Sequence, residues 1–302
     1  MHPDEIEVSE ATVSRLLAKQ FPEWRDLPVR RVESIGTVNA LFRVGDLLVA
    51  RLPRIPRFQD EGTECWLRSL AGRLPLEIPE HVALGTADES YPWKWSVQKW
   101  IDGDPWGEAT VAEPPGAAED LAEFVQTLQA IDASQLSCPS PRTVAPLSAS
   151  DAMVRKFAPR ATGIDLSDFL AVWDQAINLP QWTGKPVLLH GDLRPDNLLV
   201  RDGRLAAVID WAGVAVGDPA IDLAAAWWVF TGEGRRRFRA ALPFDEATWL
   251  RAQAAPLGAV VGIVYYAETN PPFAAALRRT LTDVLAEWPR LRPEPRKIRF
   301  TP

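Results

Sequence analysis

Apolar residues fall at helical spacing along several stretches of this chain, and shorter apolar runs bounded by turn residues lie between them. Val13, Leu16 and Leu17 share one face of a helix predicted over 9–20, with Ser9 placed to cap it. Pro22 and Pro28 break that pattern. Residues 32–44 predict two strands around a turn, Gly45-Asp46 a further turn, and 47–52 a third strand. Trp66, Leu67, Leu70 and Leu74 recur as on a helix, placed by the pattern over 60–74. Leu76, Ile78 and Val82 lead to a turn at Gly85, and 95–101 reads as a strand running into Asp102-Gly103.

Beyond that point the pattern is mainly helical. Leu121, Phe124, Val125, Leu128 and Ile131 mark an amphipathic helix over 117–131, and 165–177 a second one closed by Pro180. Residues 134–150 are rich in Ser and Pro and read as a loop. Pro219 can start a helix that runs through residues 227–230, further helices are predicted over 244–268 and 272–288, and the end from Pro289 reads as a tail. A chain of 302 residues suffices for two lobes at roughly 150 residues each. The change of pattern near residue 102 divides it into a sheet-rich part over 1–101 and a helical part over 102–302.

Between residues 187 and 214 the pattern changes to short runs around a polar elbow. Val187-Leu188-Leu189 precedes His190-Gly191-Asp192-Leu193-Arg194-Pro195-Asp196-Asn197, and two apolar runs then flank Asp202-Gly203. An Asp-Gly pair in that setting is a two-residue hairpin signal. If Arg201 pairs with Arg204, Asn197 falls opposite Val208, and Asp210 is its diagonal neighbour on Val208's side of the ribbon, because side chains alternate. Diagonal neighbours lie roughly 7–8 Å apart, close enough for a carboxylate and an amide to converge on one cation. With Asp192 just upstream, the set offers the hard oxygen ligands that suit Mg²⁺. The ordinary alternative is a solvated turn whose Asp and Asn side chains cap backbone groups.

Composition narrows the chemistry. The net charge of −7, from 33 basic and 40 acidic residues, argues against a nucleic-acid-binding surface and mildly favours a cationic small substrate. Cys65 and Cys138 have no zinc spacing and form no disulfide framework, which fits a reducing cytoplasm. The N-terminus lacks the apolar core of a signal peptide, and no run of 18 apolar residues suggests a membrane span. Gly184-Lys185 is followed by Pro186 and is not a P-loop. The three His residues, His2, His81 and His190, argue against a His metal cluster, and no Gly-x-Ser-x-Gly elbow marks a serine hydrolase.

His190-x-Asp192-x-x-x-x-Asn197 followed by Ile209-Asp210-Trp211 resembles the catalytic loop and metal-binding Asp of the protein-kinase-like phosphotransferases. The form HGDLRPDN with IDW, and the later Gly217-Asp218-Pro219-x-x-Asp222-Leu223-Ala224, is similar to the aminoglycoside and macrolide phosphotransferase family. The resemblance implies an α+β, bilobal, protein-kinase-like fold. Its small antiparallel-sheet N-lobe is the nucleotide-binding part, and its larger, mainly helical C-lobe carries the catalytic loop, metal site and acceptor pocket.

It also implies roles. Asp192 would accept or orient the acceptor hydroxyl, while Asn197 and Asp210 would hold Mg²⁺. Arg51 stands on the third strand where protein kinases have Lys, and would hold the phosphates with Glu64 to steady it; Arg54 and Glu61 compete for these two roles. Residues 34–39 occupy the place of the phosphate-covering loop, which gives Ser34 and Gly36 contacts to the nucleotide. Backbone groups of Lys99 and Ile101 would meet the purine edge. His190 would pack and brace the loop, and Asp222 would hold it through backbone N–H groups.

The implied donor is ATP or GTP with Mg²⁺, and the implied partner a hydroxylated small molecule, with neither nucleic acid nor membrane, for a cytoplasmic monomer or dimer. An antibiotic-like acceptor (aminoglycoside, macrolide or related natural product) would make the reaction a resistance-conferring O-phosphorylation. The alternatives are a metabolic kinase for choline, homoserine or a sugar, or a catalytically weak nucleotide-binding protein. For a polycationic acceptor the candidate acidic residues are Asp196, Asp218 and Glu268. For a bulky apolar one the candidate wall is Trp227, Trp228, Phe230, Tyr265 and Tyr266, although adjacent Trp residues more often bury in a core.

Overall fold

Alternation of side chains across a pleated strand explains the first part of the fold. The computed structural model describes residues 5–32, 38–55, 62–109, 116–139 and 141–288. α1 (Glu10–Gln20) buries Val13, Leu16 and Leu17, and Ser9 caps it by accepting from the Thr12 N–H at 3.2 Å. β1 (Val29–Val32), β2 (Asn39–Val44) and β3 (Leu48–Pro53) follow. Ala40, Phe42 and Val44 of β2 and Ala50 and Leu52 of β3 turn to one face and bury against α1. After α2 (Thr63–Leu70), β4 (His81–Gly85) and β5 (Trp95–Lys99) complete an antiparallel five-stranded sheet in the order β1-β2-β3-β5-β4.

Two elements here depart from the sequence pattern. β4 was not anticipated as a strand: it lies at the sheet edge, where Val82 and Leu84 are exposed, so its apolar residues do not mark a buried face. α2 ends at Leu70, short of the predicted 74. Its Trp66, Leu67 and Leu70 pack into the core of the helical part rather than under the sheet. The cysteines also depart from expectation. Cys65 on α2 and Cys138 are joined in a disulfide with Cα atoms 5.6 Å apart. Their separation of 73 positions gave no sign of this, because only the packing of α2 onto the second part brings them together.

The second part begins with β6 (Asp104–Pro105), α3 (Trp106–Ala109) and α4 (Ala117–Ala130), whose buried face includes Leu121, Phe124, Val125 and Leu128. The 134–150 stretch, expected to be a loop, contains β7 (Arg142–Thr143), and α5 (Asp151–Phe157) follows it. α6 (Leu166–Ala176) falls within the predicted 165–177 and is capped by Asp165, which accepts from the Asp168 N–H. β8 (Val187–Leu189) leads to the polar elbow, β9 (Leu198–Arg201) and β10 (Arg204–Val208) form the hairpin, and β11 (Ala215–Gly217) pairs with β7 and β8. The predicted helix after Pro219 is divided into α7 (Ala220–Leu223) and α8 (Ala225–Trp228). α9 (Gly232–Ala241), α10 (Glu246–Ala254), α11 (Val260–Tyr266) and α12 (Pro271–Glu287) close the fold; the residues from 289 lie outside the described range.

The run Glu246–Tyr266 is long and apolar enough to cross a membrane by composition, but half of its most apolar window is buried in the protein, as in a core helix. Of the two apolar clusters, one under the sheet and one among the helices, the second takes in Leu193 of the elbow and Leu198, Val200, Leu205 and Val208 of the hairpin.

Gly85 ends β4 directly beneath the Trp95 ring, where an added Cβ would come within 2.0 Å of ring carbon. Gly85→Ala is expected to displace Trp95 and lower stability by about 1–3 kcal/mol, read as a reduced urea midpoint with unchanged m.

Candidate active site

The elbow is fixed from below by Asp222. Its two carboxylate oxygens accept from the His190 N–H and the Gly191 N–H, each at 2.8 Å, and the residue is fully buried. Burial raises its pKa to about 6 against the two N–H donors, which favour the anion. His190 is buried as well. The Asp192 N–H donates to His190 Nδ1 at 3.2 Å, which assigns the ring proton to Nε2, 3.1 Å from the Ile209 carbonyl. Burial holds the imidazole neutral by lowering its pKa to about 4. His190 therefore ties the polar elbow to the residue before Asp210. Trp211 locks the same junction, with its indole N–H on the Val208 carbonyl and its ring edge-on to His190 at 4.9 Å.

Gly191 has φ +84°, and a Cβ there would lie 2.4 Å from the Gly213 carbonyl oxygen, so the two loops meet backbone to backbone. Asp210 itself sits at φ 59°, a left-handed conformation uncommon for a non-glycine residue.

The hairpin forms at Asp202-Gly203 with Arg201 opposite Arg204, as the sequence implied. The remaining register is corrected by one residue. A bulge at Ala206 pairs Ala207 with Leu199 and Val208 with Leu198, so Asn197 stands opposite Ile209 and accepts its N–H at 2.9 Å. The bulge has a cause outside the hairpin: Glu77 donates to the Ala206 carbonyl at 3.0 Å and accepts from the Val208 N–H at 2.9 Å. The shift sets Asn197 beside the strand end that carries Asp210.

Asn197, nearly fully buried, donates Nδ2 to the Asp192 carbonyl at 2.9 Å and to Asp192 Oδ2 at 3.0 Å. Its Oδ1 accepts no hydrogen bond among the described residues. Asp192 Oδ1 lies 2.9 Å from Arg194 Nε. Burial and the neighbouring Asp210 raise the Asp192 pKa, while Arg194 opposes them and favours the anion. Asp210 lies 2.5 Å from Arg51 Nη2. Burial works against the Asp210 charge, but Arg51 outweighs it and holds the carboxyl below its ordinary range.

Asp192, Asn197, Asp210 and Arg51 thus come together. Arg54 is directed elsewhere: it pairs with Glu5. The expected pairing of Glu64 with Arg51 is not the contact formed, because Glu64 pairs with Arg68 one turn along the short helix α2. Ser34, Gly36 and Glu61 lie outside the described residues. Lys99 closes β5, with its N–H on the Glu80 carbonyl at 2.9 Å and its ammonium on the Glu80 carboxylate at 2.7 Å. Among the described residues the Ile101 N–H has no backbone acceptor. Sequence reasoning gave no role to Arg194, which also reaches Asp196 at 3.4 Å and lies over the Phe273 ring at 4.9 Å. Its place midway between Asp192 and Asp196 was the only signal, and loops carry no periodicity to decode it.

The donor set fits Mg²⁺. One carboxylate and one amide oxygen are hard ligands, and Mg²⁺ commonly takes one or two protein carboxylates and completes its shell with water and phosphate oxygens.

Two lobes, an antiparallel sheet and a braced polar loop with a metal-type Asp define a kinase-like phosphotransferase architecture. A family model described as the phosphotransferase enzyme family matches residues 31–257, and the chain belongs to that family. It is 32% identical over 179 residues to viomycin phosphotransferase of Streptomyces vinaceus; the match spans 53% of this chain and 58% of that curated relative. Among solved structures it is similar to aminoglycoside 2'-phosphotransferase-IIIa in its GDP complex, with TM-score 0.71, 18% identity, and 92% of this chain and 99% of that one covered. The macrolide 2'-phosphotransferase of Brachybacterium faecium gives TM-score 0.62 at 24% identity, covering 88% and 97%. At these identities the structural likeness is one of fold.

Asp222→Asn leaves one elbow N–H facing an amide N–H and is expected to cost about 1–3 kcal/mol. Its pH signature is specific. Folded Asp222 keeps a proton up to about pH 6 that the unfolded chain loses near 3.8, so its contribution to stability falls as pH rises through that window. Folded His190 refuses, between 6.5 and about 4, a proton that the unfolded chain accepts, so its contribution rises with pH. The variant keeps only the second effect, and its urea-derived stability should climb more steeply with pH than the wild type's. Parallel pH profiles would contradict this assignment.

Proposed function

We propose that this protein transfers the γ-phosphoryl group of ATP or GTP to a hydroxyl of an antibiotic-like small molecule. The observation that carries this reading is the convergence of Asp192, Asn197, Asp210 and Arg51 beside a cavity of about 460 Å³ that Asp192 itself lines. In the proposed reaction the acceptor oxygen bonds to the γ-phosphorus, the bridging P–O bond to the β-phosphate breaks, and the nucleoside diphosphate leaves. The hydroxyl proton passes to the Asp192 carboxylate, whose anionic form Arg194 favours and which Asn197 aims. Such transfer rests mainly on positioning and charge neutralisation. Asn197 Oδ1 and Asp210 would hold Mg²⁺, which supplies positive charge to the phosphate oxygens when bound.

Arg51 is the cation for the phosphates, and Ile101 N–H with the Lys99 backbone carbonyl is the purine edge reader. Nucleotide recognition would then belong to residues 1–101 and acceptor recognition to 102–302. The viomycin phosphotransferase relative and the neighbours named for aminoglycosides and macrolides support an antibiotic-like acceptor, whose O-phosphorylation would confer resistance in the cytoplasm, where the nucleotide donor is held.

Asp192→Asn is expected to lower kcat by about 10²–10⁴ while nucleotide affinity stays within a few-fold. Asp210→Asn should instead weaken Mg²⁺–nucleotide binding by about tenfold or more, measured by calorimetry. Near-wild-type turnover of Asp192→Asn with a confirmed acceptor would overturn the role given to Asp192.

A further inference from the structure

The acidic balance of the whole chain favours a cationic substrate, but the charges around the acceptor cavity do not. Among the described residues that line it, Asp192 is the only carboxylate, and its charge is met by Arg194 at 2.9 Å. The other carboxylates that a polycation could use nearby are also compensated. Asp196 faces Arg194 at 3.4 Å, and Asp218 is held by Arg251 at 2.6 Å while it accepts from the Ala220 N–H at 3.0 Å. Glu268 is exposed and does not line the cavity.

The cavity instead contains a cation. Arg142, exposed on β7, gives one hydrogen bond to the Ala212 carbonyl at 2.9 Å and has no carboxylate partner among the described residues. A guanidinium carries five N–H donors, so most of them remain for a ligand. The rest of the lining is largely apolar: Ile221, Ala224 and Ala255, with the half-buried Trp228 offering an aromatic surface. The other candidate aromatics are divided. Trp227 and Phe230 are core residues, as is usual for an adjacent Trp pair, and only Trp228 of that helix reaches the cavity.

Resting on the phosphotransferase reading above, we propose that the acceptor is uncharged or anionic rather than polycationic. Arg142 takes an oxygen acceptor of the molecule, and Trp228 takes an apolar face. Several ammonium groups placed beside Arg142 would meet like charge in a partly desolvated site, with no free carboxylate to offset their lost hydration. Arg142 and Trp228 are then specificity-determining residues, while Asp192 remains the residue at the reacting hydroxyl.

The test is calorimetric titration of the Mg²⁺–nucleotide complex with kanamycin, a polycationic probe, at low ionic strength, for wild type, Arg142→Gln and Arg142→Glu. Wild type is expected to bind kanamycin more weakly than about 1 mM, and Arg142→Glu about tenfold or more tightly than wild type, with Arg142→Gln between them. An unchanged melting profile of the variants excludes misfolding. Submillimolar kanamycin binding by wild type, or a charge reversal that leaves the affinity unchanged, would overturn the proposal. The readout is acceptor binding and not turnover. Failure of the phosphotransfer reading would appear separately, as loss of nucleotide binding or absence of Asp192-dependent diphosphate release with every acceptor.

Discussion

The site depends on one buried carboxylate. Asp222 spends both oxygens on the N–H groups of His190 and Gly191, and without it the first two residues of the elbow would be buried donors with no acceptor. From that anchor the geometry propagates in short steps. His190 passes it to Ile209 through its Nε2 proton, Ile209 passes it to Asn197 through the backbone, and Asn197 passes it to Asp192 through its amide. The loop that carries Asp192 and the strand end that carries Asp210 are thus held together by a continuous chain of hydrogen bonds.

The charged groups are arranged in opposition across that cleft. Arg194 serves Asp192 and Arg51 serves Asp210, so two acids whose proximity raises the Asp192 pKa each have a cation. Arg51 comes from the sheet and Asp210 from the hairpin, which makes their contact a link between the two parts of the molecule. The disulfide between Cys65 and Cys138 is a second link, from α2 to the loop before β7.

Much of this was legible in the sequence because it is local. The Asp-Gly turn and the strand pairing at Arg201 and Arg204 follow from turn chemistry, and α1, α4 and α6 from apolar spacing. The parts that were not legible depend on distant neighbours. The bulge at Ala206 exists because Glu77 pairs with it, and that contact moved Asn197 from Val208 to Ile209. Glu64 was expected on Arg51, but its helix offers Arg68 at a nearer position. Edge strand β4 hides its period because its apolar side chains are not buried. The charge of the cavity beside Asp192 is local as well: its lining holds one arginine and one aspartate among the described residues, and does not share the acidic balance of the chain.

The most direct measurement is the fate of a labelled γ-phosphoryl group. ATP and GTP labelled at the γ-position would be incubated separately with Mg²⁺ and hydroxylated acceptors of different charge, and the products separated and examined by phosphorus NMR. The account predicts label in a phosphate ester on an acceptor oxygen, formed by the wild type and not by Asp192→Asn. Label recovered only as inorganic phosphate, or a chain that binds neither nucleotide, would contradict it.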